Sequence, residues 1–301
     1  MHRKMLLSMI ASAVFAASPA LGQELTGTLK KIKDTGAITL GHRESSVPFS
    51  YYDDKQQVVG YAMDLCARIV DGVKNSLKLA TLETKLNPVT SATRIPLIAN
   101  GTVDLECGST TNNLERQKQV SFTITHFVTA NRFVSKKAAN LKTVDDLKGK
   151  TIVSTSGTTN IKQITEIGAQ KGLNLNILAA KDHAEAFLMV ETGRAAAFVM
   201  DDILLYSLVA GSKSPQDYVI SADALSVEPY GIMLHRDDTP FKKVVDEAMI
   251  ATYRSGAINA IYDKWFLKPI PPKGLNLNVP MSDAFKKVIA NPTDSGDPAV
   301  Y

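Results

Sequence analysis

Cysteine, charge runs and long apolar segments are all scarce in this sequence. Cysteine occurs twice in 301 residues, at Cys66 and Cys107, which excludes a small disulfide-stapled scaffold. The 34 basic and 30 acidic residues leave a formal charge of +4, with no basic arm or acidic tail, so we expect no nucleic-acid partner. Disorder and collagen-like repeats are excluded because 45% of the residues are hydrophobic and 21% charged, as in ordinary globular proteins.

The two cysteines are compatible with either a disulfide or free thiols. Neither belongs to a CxxC motif or has a histidine at ligand spacing, so no metal site is predicted. An oxidising compartment would permit Cys66 and Cys107 to pair. However, Cys66 falls within an apolar helical pattern, where a buried free thiol is the commoner outcome.

The one unusual apolar stretch lies at the N-terminus. His2-Arg3-Lys4 precede an apolar run over residues 5–17, and small residues follow up to Gly22. A basic segment, a short apolar core and small residues are typical of a secretory signal peptide. The apolar run is too short for a membrane span, which needs about 20 residues. We therefore predict a signal peptide over residues 1–22, cleavage before Gln23 and an exported, soluble mature protein.

The hydrophobic pattern after Gln23 alternates between short strands and helices, which predicts an α/β protein. Strands are predicted at 37–41, 47–52, 82–86, 103–107, 127–135, 151–154, 173–177 and 196–200, with a strand-like crossing at 226–234. Helices are predicted at 61–73, 94–99, 113–118, 159–169, 182–191, 202–209, 241–255 and 257–266.

This order of elements predicts two lobes joined by two strand crossings. The first lobe is expected to comprise residues 23–128 and, after the chain returns, residues 227–301. The second lobe is expected over residues 129–226, a length ordinary for a domain. The last two predicted helices, 241–255 and 257–266, are assigned to the first lobe, because its predicted sheet otherwise has too few helices to cover its faces.

The sequence motifs of common enzyme classes are absent. Gly149-Lys150-Thr151 resembles the end of a P-loop, but Val144 stands where the motif needs glycine, and the triplet precedes a strand instead of following one. No GxSxG, HExxH, GxGxxG or EF-hand pattern occurs. We therefore expect no cofactor, no metal and no catalytic residues.

Polar side chains stand at the ends of five predicted strands. They are Arg43, the segment Ser109 to Thr111, Thr159, His183 and Asp201. In open α/β sheets, ligands bind beyond the carboxyl ends of the strands. Any one of these residues alone would be explained as a helix cap or a solvated charge, but together they predict a common cleft.

Four segments resemble signatures of a known family, the periplasmic solute-binding proteins for polar amino acids that feed ABC transporters. These segments are Gly41 to Ser50 with Gly60-Tyr61, Asn100 to Asp104, Asp146 to Lys150, and Tyr262 to Phe266. The resemblance implies a two-lobed, type II fold in which two hinge strands join lobes that each contain a mixed sheet flanked by helices. It also implies a periplasmic monomer whose partner is an inner-membrane ABC permease.

Within that family the resemblance is closest to the members that bind glutamate and aspartate. Carried over position by position, their ligand shell falls on Arg43, Ser91, Arg94, Ser109, Thr111, Arg116, Thr159, His183 and Asp201. The chain departs from those members in two places. It has Cys66 on the first helix, and it has Ile232 at a position where they carry a cysteine. These departures place any disulfide carried over from the family in doubt.

The nine residues suit an acidic amino acid, which carries two carboxylates and one ammonium group. Arg116, Ser109 and Thr111 are expected to hold the α-carboxylate, since guanidinium binds carboxylate through two parallel hydrogen bonds. Thr159 would add a hydroxyl and a helix N-terminus to that pole. Asp201 is expected to bind the ammonium.

A second cationic cluster is expected to bind the distal carboxylate. Its members are Arg43, Arg94, Ser91 and His183. Three arginines against one aspartate leave a charge of +2 before His183 is counted, against −1 on the ligand, so the residual charge must be met elsewhere or by water. The protonation state of His183 is open at this point.

Two other classes of protein share the scaffold. A periplasmic dehydratase of the cyclohexadienyl type would need a carboxylic acid over the leaving group, and Asp201, the one clear carboxylate, is already assigned to the ammonium. The sensor module of a signalling receptor would need a membrane span, which we do not find in the sequence.

Overall fold

The computed structural model describes residues 25–301. The predicted signal peptide, residues 1–22, lies outside the described residues. Among those described, no helix is both long and apolar enough to cross a bilayer.

The helices and strands alternate along the chain as expected for an α/β protein. The helices are α1 Gly27–Thr35, α2 Tyr61–Ser76, α3 Arg94–Ala99, α4 Thr159–Gln170, α5 His183–Glu191, α6 Asp202–Gly211, α7 Thr239–Arg254, α8 Ala257–Tyr262 and α9 Asp283–Ala290. The strands are β1 Ala37–His42, β2 Ser45–Ser46, β3 Ser50–Tyr52, β4 Val58–Val59, β5 Glu83–Pro88, β6 Leu105–Cys107, β7 Ser121–Phe122, β8 Phe127–Lys136, β9 Thr151–Thr155, β10 Asn176–Ala180, β11 Ala197–Asp201, β12 Tyr218–Ile220, β13 Ser226–Tyr230 and β14 Met233–Leu234.

The first lobe is built on a five-stranded mixed sheet with the order β5-β1-β6-β14-β7. Strand β1 runs parallel to β5 and β6, whereas β14 is antiparallel to β6 and β7. Helix α2 packs on this sheet and on α7. Its stripe of buried residues at Tyr61, Leu65, Ile69 and Val73 has the spacing of one helix face.

A small three-stranded antiparallel sheet, β2-β3-β4, lies beside the first sheet. The sequence predicts one strand over 47–52, and this prediction is wrong. The chain instead forms two short strands with Val47-Pro48 between them. Proline has no backbone N–H and cannot donate to a strand ladder at that point.

The second lobe is built on a mixed sheet with the order β10-β9-β11-β8-β12. Strands β9, β10 and β11 are parallel, and β8 is antiparallel to β11 and β12. Helices α4, α5 and α6 pack against this sheet. The carboxyl ends of β9 and β11 therefore open on the same edge, where α4 and α6 begin.

Two strands carry the chain between the lobes. Strand β8 enters the second sheet, and β13 pairs antiparallel with it from Ser226 opposite Asn131 to Tyr230 opposite Phe127. The chain then enters the first sheet as β14. Helices α7 and α8 follow, and both pack on α2. We call the paired strands β8 and β13 the hinge.

Two further predicted elements differ in type or in where they begin, and helices α1 and α9 and strands β4, β7 and β12 were not predicted. The helix predicted over 113–118 is only a 3-10 turn, Arg116–Lys118. The strand predicted over 173–177 begins at Asn176, because Gly172 and Asn174 have positive φ angles of 61° and 48°. Those angles form a turn after α4 that an extended strand cannot accommodate.

Cys66 and Cys107 form a disulfide, which answers the question that the sequence leaves open. The bond joins α2 to the end of β6. Both cysteines are fully buried in the core of the first lobe.

Candidate functional site

All nine predicted site residues lie where the two lobes face each other, and none is more than 8% exposed. Arg43 follows β1, Ser91 and Arg94 lie at the start of α3, and Ser109 and Thr111 follow β6. Arg116 begins the 3-10 turn, Thr159 and His183 begin α4 and α5, and Asp201 ends β11. The structure thus brings together six residues of the first lobe and three of the second.

The lobes are in direct contact around the site. Arg116 Nη2 donates to the carbonyl oxygen of Gly157 at 3.2 Å, and the hydroxyls of Thr159 and Thr111 are 3.5 Å apart. A Cβ atom added to Gly157 would lie 2.6 Å from Ala92 Cα, across the interface. The structure is therefore a closed arrangement in which the site is shielded from solvent.

Arg43 and Arg94 form the predicted second cationic cluster, and Glu106 is their counter-charge. Glu106 Oε1 lies 4.0 Å from Arg94 Nη1, and Glu106 is fully buried. Thr110 connects them, since its hydroxyl donates to Glu106 Oε2 at 2.6 Å and also contacts the Arg94 guanidinium. Burial, and next the charge of Arg94, lower the pKa of Arg43 to about 10, against the opposing effect of Glu106. Both guanidinium groups remain charged at neutral pH.

Five of the predicted site residues have a buried polar atom with no hydrogen-bond partner within residues 25–301. These atoms are Arg43 Nη1, Ser91 Oγ, Arg94 Nε, Ser109 Oγ and His183 Nε2. Buried polar groups in native proteins are nearly always paired. Most of these atoms are hydrogen-bond donors or hydroxyls, which is the chemistry that binds carboxylate oxygens.

His183 is neutral, which answers the question of its protonation that the sequence leaves open. Burial, followed by the charges of Arg43 and Arg94, lowers the pKa of His183 well below its usual range. Its Nδ1 lies 2.9 Å from the hydroxyl of Thr155. If that hydroxyl donates to Nδ1, the ring proton lies on Nε2, the atom without a partner, which can then donate to a ligand.

Arg116 is held by two carbonyl groups. Its Nη1 donates to the Thr111 carbonyl at 2.9 Å, in addition to the Nη2 bond to Gly157. Burial, and next the charge of Arg94, lower the pKa of Arg116 to about 10, so it too is charged. The two bonds fix the plane of the guanidinium at the line where the lobes meet.

Asp201 accepts hydrogen bonds from Asn160 Nδ2, at 2.7 Å, and from the Tyr230 hydroxyl. Glu228, on the hinge strand β13, lies nearby and accepts from the Thr159 hydroxyl at 2.9 Å. Burial and the charge of Glu228 raise the pKa of Asp201 to about 7. The anionic pole of the site therefore contains two carboxylates.

Sequence reasoning missed Glu106 and Glu228, and treating Asp201 as the one clear carboxylate was wrong. The two glutamates act at different poles: Glu106 leaves a single positive charge beside Arg43 and Arg94, and Glu228 adds its carboxylate beside Asp201. Glu106 could have been found, because it interrupts the apolar residues of a predicted buried strand. Glu228 lies in the strand that crosses between the lobes, and the residues that contact it, Thr159 and Gln163, are distant in sequence. No local sequence pattern therefore indicates it.

No group of three or more potential metal ligands is clustered anywhere in the part of the chain that the structure describes. The ligand chemistry of the site consists of guanidinium, hydroxyl, imidazole and carboxylate groups.

Comparisons with known proteins identify sequence relatives and structures of similar fold. The sequence model of the bacterial extracellular solute-binding proteins, family 3, matches residues 38–268. The chain is 54% identical to an L-glutamate/L-aspartate-binding protein of Pseudomonas aeruginosa over 95% of this chain and 96% of that one. It is 47% identical to a glutamate/aspartate import solute-binding protein of Escherichia coli over 92% and 91% of the two chains. Among solved structures, a mutant of ArgBP from T. maritima superposes with a TM-score of 0.70, at 27% identity, over 79% of this chain and 98% of that one.

Proposed function

This chain belongs to the bacterial extracellular solute-binding proteins, family 3, and from that membership we propose that it captures L-glutamate and L-aspartate for import. It does so in the periplasm as a monomer and delivers the amino acid to an inner-membrane ABC permease. Two relatives with the names of glutamate and aspartate carriers support this substrate, at 54% and 47% identity over nearly the whole chain.

The observation that carries the proposal is the pair of buried guanidinium groups with free donor atoms. Arg43 Nη1 and Arg94 Nε are unpaired within the described residues, and Ser91 and His183 add a free hydroxyl and ring nitrogen beside them. A carboxylate at the end of a ligand side chain would accept from all four groups. A neutral amide would leave the one positive charge that Glu106 does not balance uncompensated, at a cost of about 2 to 5 kcal/mol.

The other end of the ligand is held by groups that suit any α-amino acid. In this proposal Arg116, Ser109, Thr111 and Thr159 bind the α-carboxylate, and Asp201 binds the ammonium. Ser109 Oγ is unpaired within residues 25–301, in agreement with this role. Because Arg116 lies on the first lobe and Thr159 and Asp201 on the second, the ligand bridges the lobes and stabilises the closed arrangement. The lobes open about the hinge to admit it.

We further propose that capture is not followed by a reaction. The relatives above are binding proteins. Glu228, the extra carboxylate at the anionic pole, accepts from Thr159 and Gln163, and Asp201 accepts from Asn160 and Tyr230. In this proposal the ligand's ammonium occupies Asp201, and Thr159 and Gln163 occupy Glu228, so neither carboxyl group is left to protonate a leaving group, as a dehydratase requires.

Dialysis against an equimolar mixture of the twenty amino acids, followed by mass spectrometry of the protein fraction, tests substrate and reaction together. We expect glutamate and aspartate to be retained at close to one molecule per chain, chemically unchanged. Retention of another class of amino acid would contradict the substrate, and a converted product would contradict simple binding.

A further inference from the structure

A pair of buried carboxylates, Asp201 and Glu228, lies where the second lobe meets the hinge. Asp201 is 3% exposed and Glu228 is 1% exposed. Neither has a lysine, arginine or histidine nitrogen within 4.0 Å in residues 25–301. Two buried carboxylates without a cation in contact are unfavourable unless one of them binds a proton.

Hydrogen bonds distinguish the two acids. Glu228 accepts from Gln163 Nε2 at 2.7 Å, from the Thr159 hydroxyl at 2.9 Å and from the Ser226 hydroxyl, and donors of this kind stabilise the charged form. Asp201 accepts from Asn160 Nδ2 on one oxygen and contacts the Tyr230 hydroxyl with the other. A hydroxyl can either donate or accept, so the contact with Tyr230 persists whether Asp201 is charged or protonated.

The other charged groups around Asp201 come from three elements. Asp202 follows it on α6 and disfavours its charge, whereas Arg94 and Arg116 face it from the first lobe. The pKa of Tyr230 is raised well above its usual range by burial and by Asp201, so the phenol keeps its proton. Since the pKa of Asp201 is raised to about 7, Asp201 is the member that titrates near neutral pH.

Resting on the function proposed above, we infer that Glu228 is a positioning residue that keeps Asp201 partly protonated until a ligand arrives, so that capture of the ligand's ammonium releases a proton. In that step the O–H bond of Asp201 breaks and its proton passes to solvent. The ammonium then donates to the Asp201 carboxylate, and Tyr230 turns its hydroxyl toward the same group.

The contacts of the acid pair come from the second lobe and from the hinge. Asn160 and Gln163 lie on α4 of the second lobe, Asp201 ends β11, and Ser226, Glu228 and Tyr230 lie on the hinge strand β13. Because Asn160, Thr159 and Gln163 all lie on α4, we infer that Asp201 and Glu228 keep these contacts when the lobes open, so that the proton is available for release when the ligand binds.

Isothermal titration calorimetry in buffers of different ionisation enthalpy counts the protons. At pH 7.0, glutamate binding to the unchanged protein should release about half a proton per ligand from Asp201, since a group with a pKa of about 7 is half protonated there. In Glu228→Gln this contribution should be lost. Any proton taken up by His183 beside the distal carboxylate is common to both proteins, so the difference between them isolates the acid pair.

Glu166→Gln is the matched control, because Glu166 is an exposed residue of α4 and the chemical change is the same. Its proton count should equal that of the unchanged protein. Equal counts in the unchanged protein and in a folded, binding Glu228→Gln would overturn the inference.

The pH profile of the unchanged protein provides a second test if Glu228→Gln fails to fold or to bind. If Asp201 keeps before binding the pKa of about 7 that it has in this closed structure, and is deprotonated in the complex, affinity for glutamate should be about 30-fold weaker at pH 5.5 than at pH 8. A flat profile would overturn the inference. Failure of the proposed function has a different signature, since glutamate and aspartate would then give no binding heat at any pH.

Discussion

Arg43 and Arg94 share one buried counter-ion, Glu106, and this arrangement defines the ligand charge that the site accepts. Two guanidiniums and one carboxylate leave a single positive charge at this pole, because His183 is neutral. A distal carboxylate supplies the missing negative charge, and an amide does not. Charge compensation in a shielded site, more than shape, therefore separates acidic amino acids from their amides.

The change Arg94→Ala tests this assignment. We expect it to weaken the binding of glutamate and aspartate by about 2 to 5 kcal/mol and the binding of glutamine by less. The difference in affinity between glutamate and glutamine should therefore narrow. Calorimetric affinities for the three ligands measure the effect. Arg194→Ala, at an exposed position, is the control and should leave all three unchanged. Equal losses for glutamate and glutamine in Arg94→Ala would show that this guanidinium does not recognise the distal group.

Gly157 is the residue at which side-chain size decides whether the lobes can close. Its φ angle is 77°, and an added Cβ would lie 2.6 Å from Ala92 Cα on the opposite lobe. We expect Gly157→Ala to bind glutamate at least tenfold more weakly and to show no decrease in radius of gyration when small-angle scattering is recorded with saturating glutamate.

Gly149→Ala is the matched control for Gly157→Ala. Gly149 has a φ of 70° with nothing within 4 Å of an added Cβ. Both changes should cost about 1 kcal/mol of stability from the left-handed backbone, but only Gly157→Ala should impair closure. If both variants closed normally on glutamate, the close approach at Ala92 would not limit the motion.

At the scale of elements, the disulfide joins the main helix of the first lobe to the strand that carries Glu106. Cys66 lies on α2 and Cys107 ends β6, 41 residues apart. The bond thus anchors the strand end from which Glu106 and Ser109 reach the site. Closing a loop of that length restricts the unfolded chain and contributes about 4 kcal/mol in the chain-entropy description.

Replacing both cysteines by serine should therefore lower the free energy of unfolding by about 4 kcal/mol. Urea denaturation with and without saturating glutamate measures the loss. Treating the unchanged protein with a thiol reductant provides an independent comparison that introduces no polar hydroxyls into the core. A reduced protein as stable as the oxidised one would show that the disulfide does not stabilise the fold.

Some helices with an apolar stripe were predicted well from the sequence, whereas helices α1 and α9 and strands β4, β7 and β12 were not predicted. Helix α3 has the predicted bounds, and α2 has the predicted buried face, because a 3.6-residue period is a local signal. The region over 47–52 was mispredicted because alternation alone does not reveal that Pro48 interrupts the ladder. The pairing of Cys66 with Cys107 depends on the packing of α2 against β6, which is a tertiary contact.

For the whole molecule, the site is a balance of charges drawn from both lobes and the hinge. Three arginines face three carboxylates, Glu106, Asp201 and Glu228. The sequence indicated the three arginines and, among the carboxylates, only Asp201. The arginines were found through strand ends and through a resemblance to a known family. The two glutamates were missed because their partners lie far away in sequence, so only the folded chain reveals the compensation.

The most direct test of the account is the ratio of affinities for glutamate and glutamine, measured by calorimetry on the same preparation at pH 7. Two shielded guanidiniums with unpaired donor atoms predict that glutamate binds at least tens of times more tightly than glutamine, with aspartate also bound and arginine not. A ratio near one, or a preference for glutamine or for arginine, would contradict the account.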